Sequence, residues 1–370
     1  MTTEGAGSVA GSAEGPGRAD GGDDAGPAVG SHVTAGGTRR SVGATRDPAA
    51  AVRAIVAAAG EHVAPLLGRA EERLAAVASA HGPPLDVHAG ETIAAGGKRL
   101  RPLLVLLAAG PQPADEGRLL RAAVAVELVH SATLVHDDVL DQALLRRGRP
   151  TVVATAGLSM ATATGDLLFS RAFAELAGAG APADGVRALS AAASALARGE
   201  LLQREDAWAG QVTVERYLER CELKTGCLFK AACELGALEA DDGHGDALGA
   251  FGLRVGVAFQ ILDDVLDVAG PAERTGKHRG TDLLDGTVTL PLILARQRTQ
   301  AVAAVELRSV RTAQQAEAVC DAVIASGALD EARERALGMV AQAKAALPGL
   351  PAAHRRALEL VADSVVERYA

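Results

Sequence analysis

The chain has 370 residues, 48% hydrophobic and 22% charged, enough for one large domain or two average ones with a sizeable core. Its net charge of −9 excludes the broad basic stripe that a nucleic-acid surface needs. An anionic small substrate would therefore need local basic residues or bridging cations.

Only 2% of the residues are aromatic, and alanine, leucine and valine dominate, with few alternating stretches. Ala and Leu are strong helix formers, so an all-α protein is expected. Residues 1–47 are rich in Gly, Ala, Ser and Thr and are expected to be a disordered tail. They lack the basic start and apolar core of a secretory signal. No uncharged apolar run reaches the ~18 residues a membrane helix needs, so no transmembrane segment and a cytoplasmic location are expected.

From residue 48 to 370 helical patterning continues as one expected domain. It is punctuated by turn signals at Gly82-Pro83-Pro84, Gly110-Pro111, Gly178 to Pro182, Asp241 to Gly245, Gly270-Pro271 and Pro348 to Pro351. Cys221, Cys227, Cys233 and Cys320 form no C-x-x-C pair and read as small buried residues.

One pattern occurs twice. Asp137-Asp138-Val139-Leu140-Asp141 returns as Asp263-Asp264-Val265-Leu266-Asp267, each time after an apolar helical run. The copies are too far apart for a short solenoid repeat and suit two facing helices of one bundle. Positions i and i+4 share a helix face, so Asp137 and Asp141 point together with Asp138 beside them. Asp263, Asp267 and Asp264 repeat the arrangement. Clustered carboxylates repel, more so when desolvated, and a hard divalent cation would relieve them. A solvated acidic face is the plain alternative. An all-carboxylate iron site is another, but it would need Glu-x-x-His motifs that neither cluster has nearby.

Cations flank both clusters. Lys98, Arg99 and Arg101 follow Gly96-Gly97, and Arg146, Arg147 and Arg149 follow the first cluster. Lys224-Thr225-Gly226 lies mid-chain, and Lys277, His278 and Arg279 follow the second cluster. Arg and Lys are the usual phosphate partners.

With these motifs in this order, the chain resembles the trans-isoprenyl diphosphate synthase (polyprenyl synthetase) family of medium- or long-chain type. The resemblance implies a single large helical bundle around a central cavity, acting as a prenyltransferase that adds isopentenyl diphosphate to an allylic diphosphate. It implies about three Mg²⁺ ions bridging to diphosphate, held by Asp137, Asp141 and Asp263 with Asp138, Asp264 and Asp267. Arg146, Lys224, Thr225, Gln260 and Lys277 would hold the allylic diphosphate; Lys98, Arg101, His130 and Arg147 would hold isopentenyl diphosphate. A homodimer is implied as well. Where the family shows Gly-Lys-x-Thr-Leu-Pro, this chain reads Gly286-Thr287-Val288-Thr289-Leu290-Pro291, so one cation is missing.

In the family a bulky aromatic five residues before the first Asp floors the product pocket of short-chain enzymes. Here that position is Ala132, with Thr133, Val129 and Ala125 nearby, so a product beyond geranylgeranyl diphosphate is expected. Shorter geranylgeranyl or farnesyl products, a class I terpene cyclase and a non-catalytic partner subunit are the alternatives. A cyclase would want more than eight aromatics to steer its cation. A non-catalytic subunit would be expected to have lost its aspartates. The glycine-bounded stretch Gly270 to Gly286 is a candidate lid.

Overall fold

The computed structural model describes residues 48–146, 148–178, 180, 182–240, 243–270 and 279–367. The expected tail, together with Arg147, Lys277 and His278, lies outside them.

The described residues are helical nearly throughout. Helices α1 (Pro48–Ala59), α2 (Val63–Ala78), α3 (Leu85–Ala94) and α4 (Leu100–Ala108) lead to α5 (Glu116–Leu140). After a short ribbon come α6 (Val152–Gly178), α7 (Ala183–Asp206) and α8 (Val214–Cys221). A single π-helical turn, Glu222–Gly226, joins α8 to α9 (Cys227–Ala237), which is followed by α10 (Gly245–Ala269). The chain closes with α11 (Thr281–Leu284), α12 (Leu290–Arg298), α13 (Gln300–Ala303), α14 (Ala313–Ala325), α15 (Ala328–Ala345) and α16 (Ala352–Glu367). The glycine and proline signals fall at or next to these boundaries.

Helices α5 and α10 are apolar on nearly every side, and such helices belong in the interior. Residues Ala122 to Val129 of α5 are all buried, as are Val255 to Ala258 of α10. With few aromatics to fill space, Ala, Val and Leu let the helices approach closely. Tyr217, Phe229 and Phe251 are the largest fully buried side chains. Three of the four cysteines are buried and Cys227 is half-buried, all as free thiols.

The sequence predicted no strand, yet Leu145–Arg146 pairs antiparallel with Arg149–Pro150 just after the first aspartate cluster. Two-residue strands carry too little alternation to be read in advance.

Among the described residues three helices, α5, α6 and α10, are long and apolar enough by composition to cross a membrane. The expectation of no such segment is corrected to that extent, because it counted only uncharged runs. The apolar windows of α5 and α10 are 72% and 56% buried inside the protein, that of α6 only 28%.

Candidate active site

The first aspartate cluster occupies the last turns of α5. Asp138 is buried and its Oδ1 accepts from Arg146 Nε at 2.8 Å. The unexpected ribbon thus turns Arg146 back onto the cluster. Exposed Asp141 accepts from Arg204 Nη2 of α7 at 2.9 Å. Half-buried Asp137 has its carboxyl pushed up by desolvation; Lys224 and Arg146 oppose this, and Glu200 and Asp141 add to it. Burial thus dominates at Asp137, and the neighbouring Lys224 and Arg146 offset it only in part.

The second cluster lies in the last turns of α10. Asp264 is buried, accepting from Tyr217 Oη at 2.6 Å and from Gln260 Nε2 at 2.8 Å. Burial raises its carboxyl pKa against these two bonds and Arg220, with Asp263 reinforcing the rise. Half-buried Asp267 holds the following segment: its carbonyl accepts from Gly280 N at 2.9 Å and its Oδ2 from Asp282 N at 3.3 Å. Of the stretch considered as a lid, 271–278 lies outside the described residues.

The π turn joins the two clusters. Lys224 Nζ is bonded to Glu200 of α7, and Thr225 Oγ1 donates to Gln260 Oε1 at 2.8 Å. Single π turns are frequent at functional sites because they re-aim side chains. Glycines make the close approach possible. A Cβ added at Gly199 would lie 2.7 Å from Lys224 N, and one at Gly256 2.8 Å from Gly226 Cα. Backbone therefore packs on backbone from α7 through the π turn to α10. Gly199→Ala must displace Lys224 and is expected to cost about 1–3 kcal/mol. Urea unfolding should show that loss, and initial rates a raised KM for the allylic substrate.

Between these elements lies a cavity of about 160 Å³, lined among others by Gln203, Lys224, Thr225, Gln260, Asp264 and Thr287. Thr287 is held there from behind. Trp208 N donates to Gly286 O at 2.8 Å. Gly286 has φ +76°, and any Cβ there would collide with the Trp208 ring.

The basic turn before α4 is anchored by Arg99, the one of its three cations to which the family resemblance gave no role. Arg99 is buried; it donates to Glu127 Oε1 of α5 at 2.8 Å, Ile93 O at 2.8 Å and Glu71 Oε1 at 2.7 Å. It takes the left-handed conformation, φ 47°, that starts α4. Lys98 is exposed beside it. The Arg101 guanidinium stacks 4.7 Å from the Phe229 ring centre, and Phe229 neighbours Phe259 at 5.9 Å. His130 is half-buried on α5. Ala125, Val129 and Ala132 are fully enclosed, and half-buried Thr133 donates its hydroxyl to His130 O at 2.7 Å.

Among the described residues no three His, Cys, Asp or Glu side chains already converge as a cation cage. The two acidic clusters offer hard oxygen donors, and the desolvated Asp137 carboxyl beside Glu200 and Asp141 is the environment a divalent cation relieves. The donor set fits Mg²⁺ with further oxygens from a ligand.

The polyprenyl synthetase profile matches residues 85–326, spanning both clusters, the π turn and Thr287. The chain belongs to the polyprenyl synthetase family. As a member it is a prenyltransferase with the all-α isoprenoid synthase fold. Heptaprenyl diphosphate synthase component 2 of Geobacillus stearothermophilus is 44% identical over 64% of this chain and 73% of its own. Octaprenyl diphosphate synthase of Escherichia coli is 34% identical over 75% and 87%. The polyprenyl synthase of Caulobacter crescentus, solved with calcium and isoprenyl diphosphate, superposes with a TM-score of 0.77. It is 35% identical, covering 88% of this chain and 98% of its own.

In this polyprenyl synthetase the structure brings Asp137, Asp138, Asp141, Arg146, Lys224, Thr225, Gln260 and Asp264 into one connected network. It adds Tyr217, Glu200, Arg204 and Arg220, which sequence reading missed. Each sits in an ordinary helical pattern with no repeat to single it out. Tyr217 and Arg220, seven and four residues before Lys224, had spacings that hinted at a shared face.

Proposed function

We propose that this prenyltransferase is a Mg²⁺-dependent synthase that joins isopentenyl diphosphate head to tail to an allylic diphosphate. We propose further that it carries its product beyond the geranylgeranyl length. One observation carries the reading: neighbouring residues on a single π turn serve both aspartate clusters. Lys224 pairs with Glu200, which pairs with the Arg204 that holds Asp141, while Thr225 bonds Gln260, which bonds Asp264.

In the reaction the allylic C–O bond breaks, and its electron pair leaves with the diphosphate. The isopentenyl double bond forms the new C–C bond, and a proton is lost to restore an alkene. Lys224, Thr225, Gln260, Arg146 and Lys277 would grip the departing diphosphate. Asp137, Asp141 and Asp263 would hold Mg²⁺, which when bound neutralises the diphosphate and improves it as a leaving group. Asp138, Asp264 and Asp267 already accept hydrogen bonds and would brace the set from behind. Lys98, Arg101, His130 and Arg147 would hold isopentenyl diphosphate. Helix α5 carries no Phe, Tyr or Trp, so it would put no such ring in the path of a growing tail.

The test combines purified chain, Mg²⁺, isopentenyl diphosphate and allylic primers of increasing length, with products sized by mass spectrometry. Linear diphosphates longer than C20 are expected; C15 or C20 products alone would overturn the length assignment, and cyclic hydrocarbons the reaction. A second reading, that a companion subunit is needed, is favoured by the relative named as a component 2. It predicts no turnover by the chain alone.

We also propose a homodimer. Helix α6 is apolar yet largely uncovered, and Asp166 in its middle favours a second copy over a bilayer as the covering surface. Light scattering should give twice the chain mass; a monomer at micromolar concentration would contradict it.

A further inference from the structure

The missing cation at Thr287 has a neighbour that replaces it. Arg220, on α8, is buried at 4% exposure and lines the same cavity as Lys224, Gln260, Asp264 and Thr287. Its Nη2 donates to the carbonyl of Val288, the residue after Thr287, at 2.6 Å. Its guanidinium carbon lies 5.3 Å from the Tyr217 ring centre. The fork is thereby fixed beside the place where the family pattern puts a lysine.

The other arm of the fork has no hydrogen-bond partner. Arg220 Nη1 is buried and unbonded, and its nearest carboxylate oxygen, Asp206 Oδ2, is 3.8 Å away and also unbonded. Asp206 Oδ1 instead accepts from Arg216 Nε at 2.5 Å. A buried, unmatched guanidinium N–H is costly unless a ligand oxygen takes it. Lys224, the neighbouring cation, is already bonded to Glu200. Arg also presents a rigid fork suited to phosphate oxygens, and here one arm is committed to the backbone while the other, buried beside Asp206, makes no hydrogen bond.

We propose that Arg220 is a diphosphate-binding residue, supplying from α8 the contact that the 286–291 segment has lost at Thr287. The charge has moved from the loop to the helix while serving the same ligand. This rests on the prenyl diphosphate synthase reading above, and names a residue of that site.

The test uses Arg220→Met and Arg220→Gln, the latter keeping a donor for Val288 O, and Thr287→Lys added to each. Binding of inorganic pyrophosphate with Mg²⁺ is measured by calorimetry, alongside KM for both substrates and the melting temperature. Loss of one charge-assisted hydrogen bond should weaken pyrophosphate and raise the allylic KM about ten-fold or more, leaving the isopentenyl KM within about two-fold. Thr287→Lys should recover most of that loss, which a purely structural role for Arg220 would not allow. Unchanged pyrophosphate affinity in Arg220→Gln, or no recovery by Thr287→Lys, would overturn the proposal. If Arg220→Met fails to fold, the Gln pair decides it. Absence of any elongation by the wild-type chain would count against the synthase reading instead, since pyrophosphate binding reads Arg220 without turnover.

Discussion

Asp137→Ala is expected to lower turnover by about three orders of magnitude or more, because it removes a charged oxygen that a metal and diphosphate need together. The fold should not suffer. Desolvation, Glu200 and Asp141 keep the Asp137 carboxyl protonated to higher pH in the fold than in the unfolded chain. The sign follows: above that raised pKa the ionised carboxylate carries its full cost in stability, which falls as the pH drops and is gone below the unfolded-chain value. At neutral pH without metal, Asp137→Ala should therefore melt no lower than wild type. Added Mg²⁺ and pyrophosphate should raise the wild-type melting temperature and barely move that of the variant. Turnover within ten-fold of wild type would remove Asp137 from the metal set. Helical circular dichroism separates that outcome from unfolding.

Ala132→Phe is expected to shorten the product. Ala132 is fully enclosed on α5, between Val129 and the aspartate cluster, so an added ring has two possible fates. If the space beyond Ala132 receives the growing tail, the ring fills it and elongation stops early with turnover retained. If that space is ordinary core, the ring overpacks it, costing about 1–3 kcal/mol without changing product length. Mass spectrometry and thermal melting on one sample distinguish these. A lower melting temperature with full-length product would place the tail elsewhere.

The fold was legible because its signal is redundant. Apolar helical runs, glycine and proline breaks and abundant alanine all point one way. The aspartate clusters were legible because carboxylates four residues apart must share a helix face, and the pattern occurs twice. Tyr217, Glu200 and Arg204 were not. Each reaches the site across a helix–helix contact, and long-range contacts of single residues leave no local periodicity. Arg146 shows an intermediate case: sequence placed it near the first cluster, but the two-residue ribbon that turns it onto Asp138 was too short to foresee. Arg220 was not legible beside the Thr287 departure, because the sequence could not show that a cation on α8 abuts the next carbonyl. Apolar length misled in the other direction. Helices α5 and α10 match membrane spans in composition because they line the interior of a large bundle.

The most direct test is a crystal structure grown with Mg²⁺ and pyrophosphate. Ions bonded to Asp137 on one helix and Asp263 on the other, with pyrophosphate between them and in contact with Lys224, are predicted. Pyrophosphate bound away from the π turn, or ions touching only one of the two helices, would contradict the account.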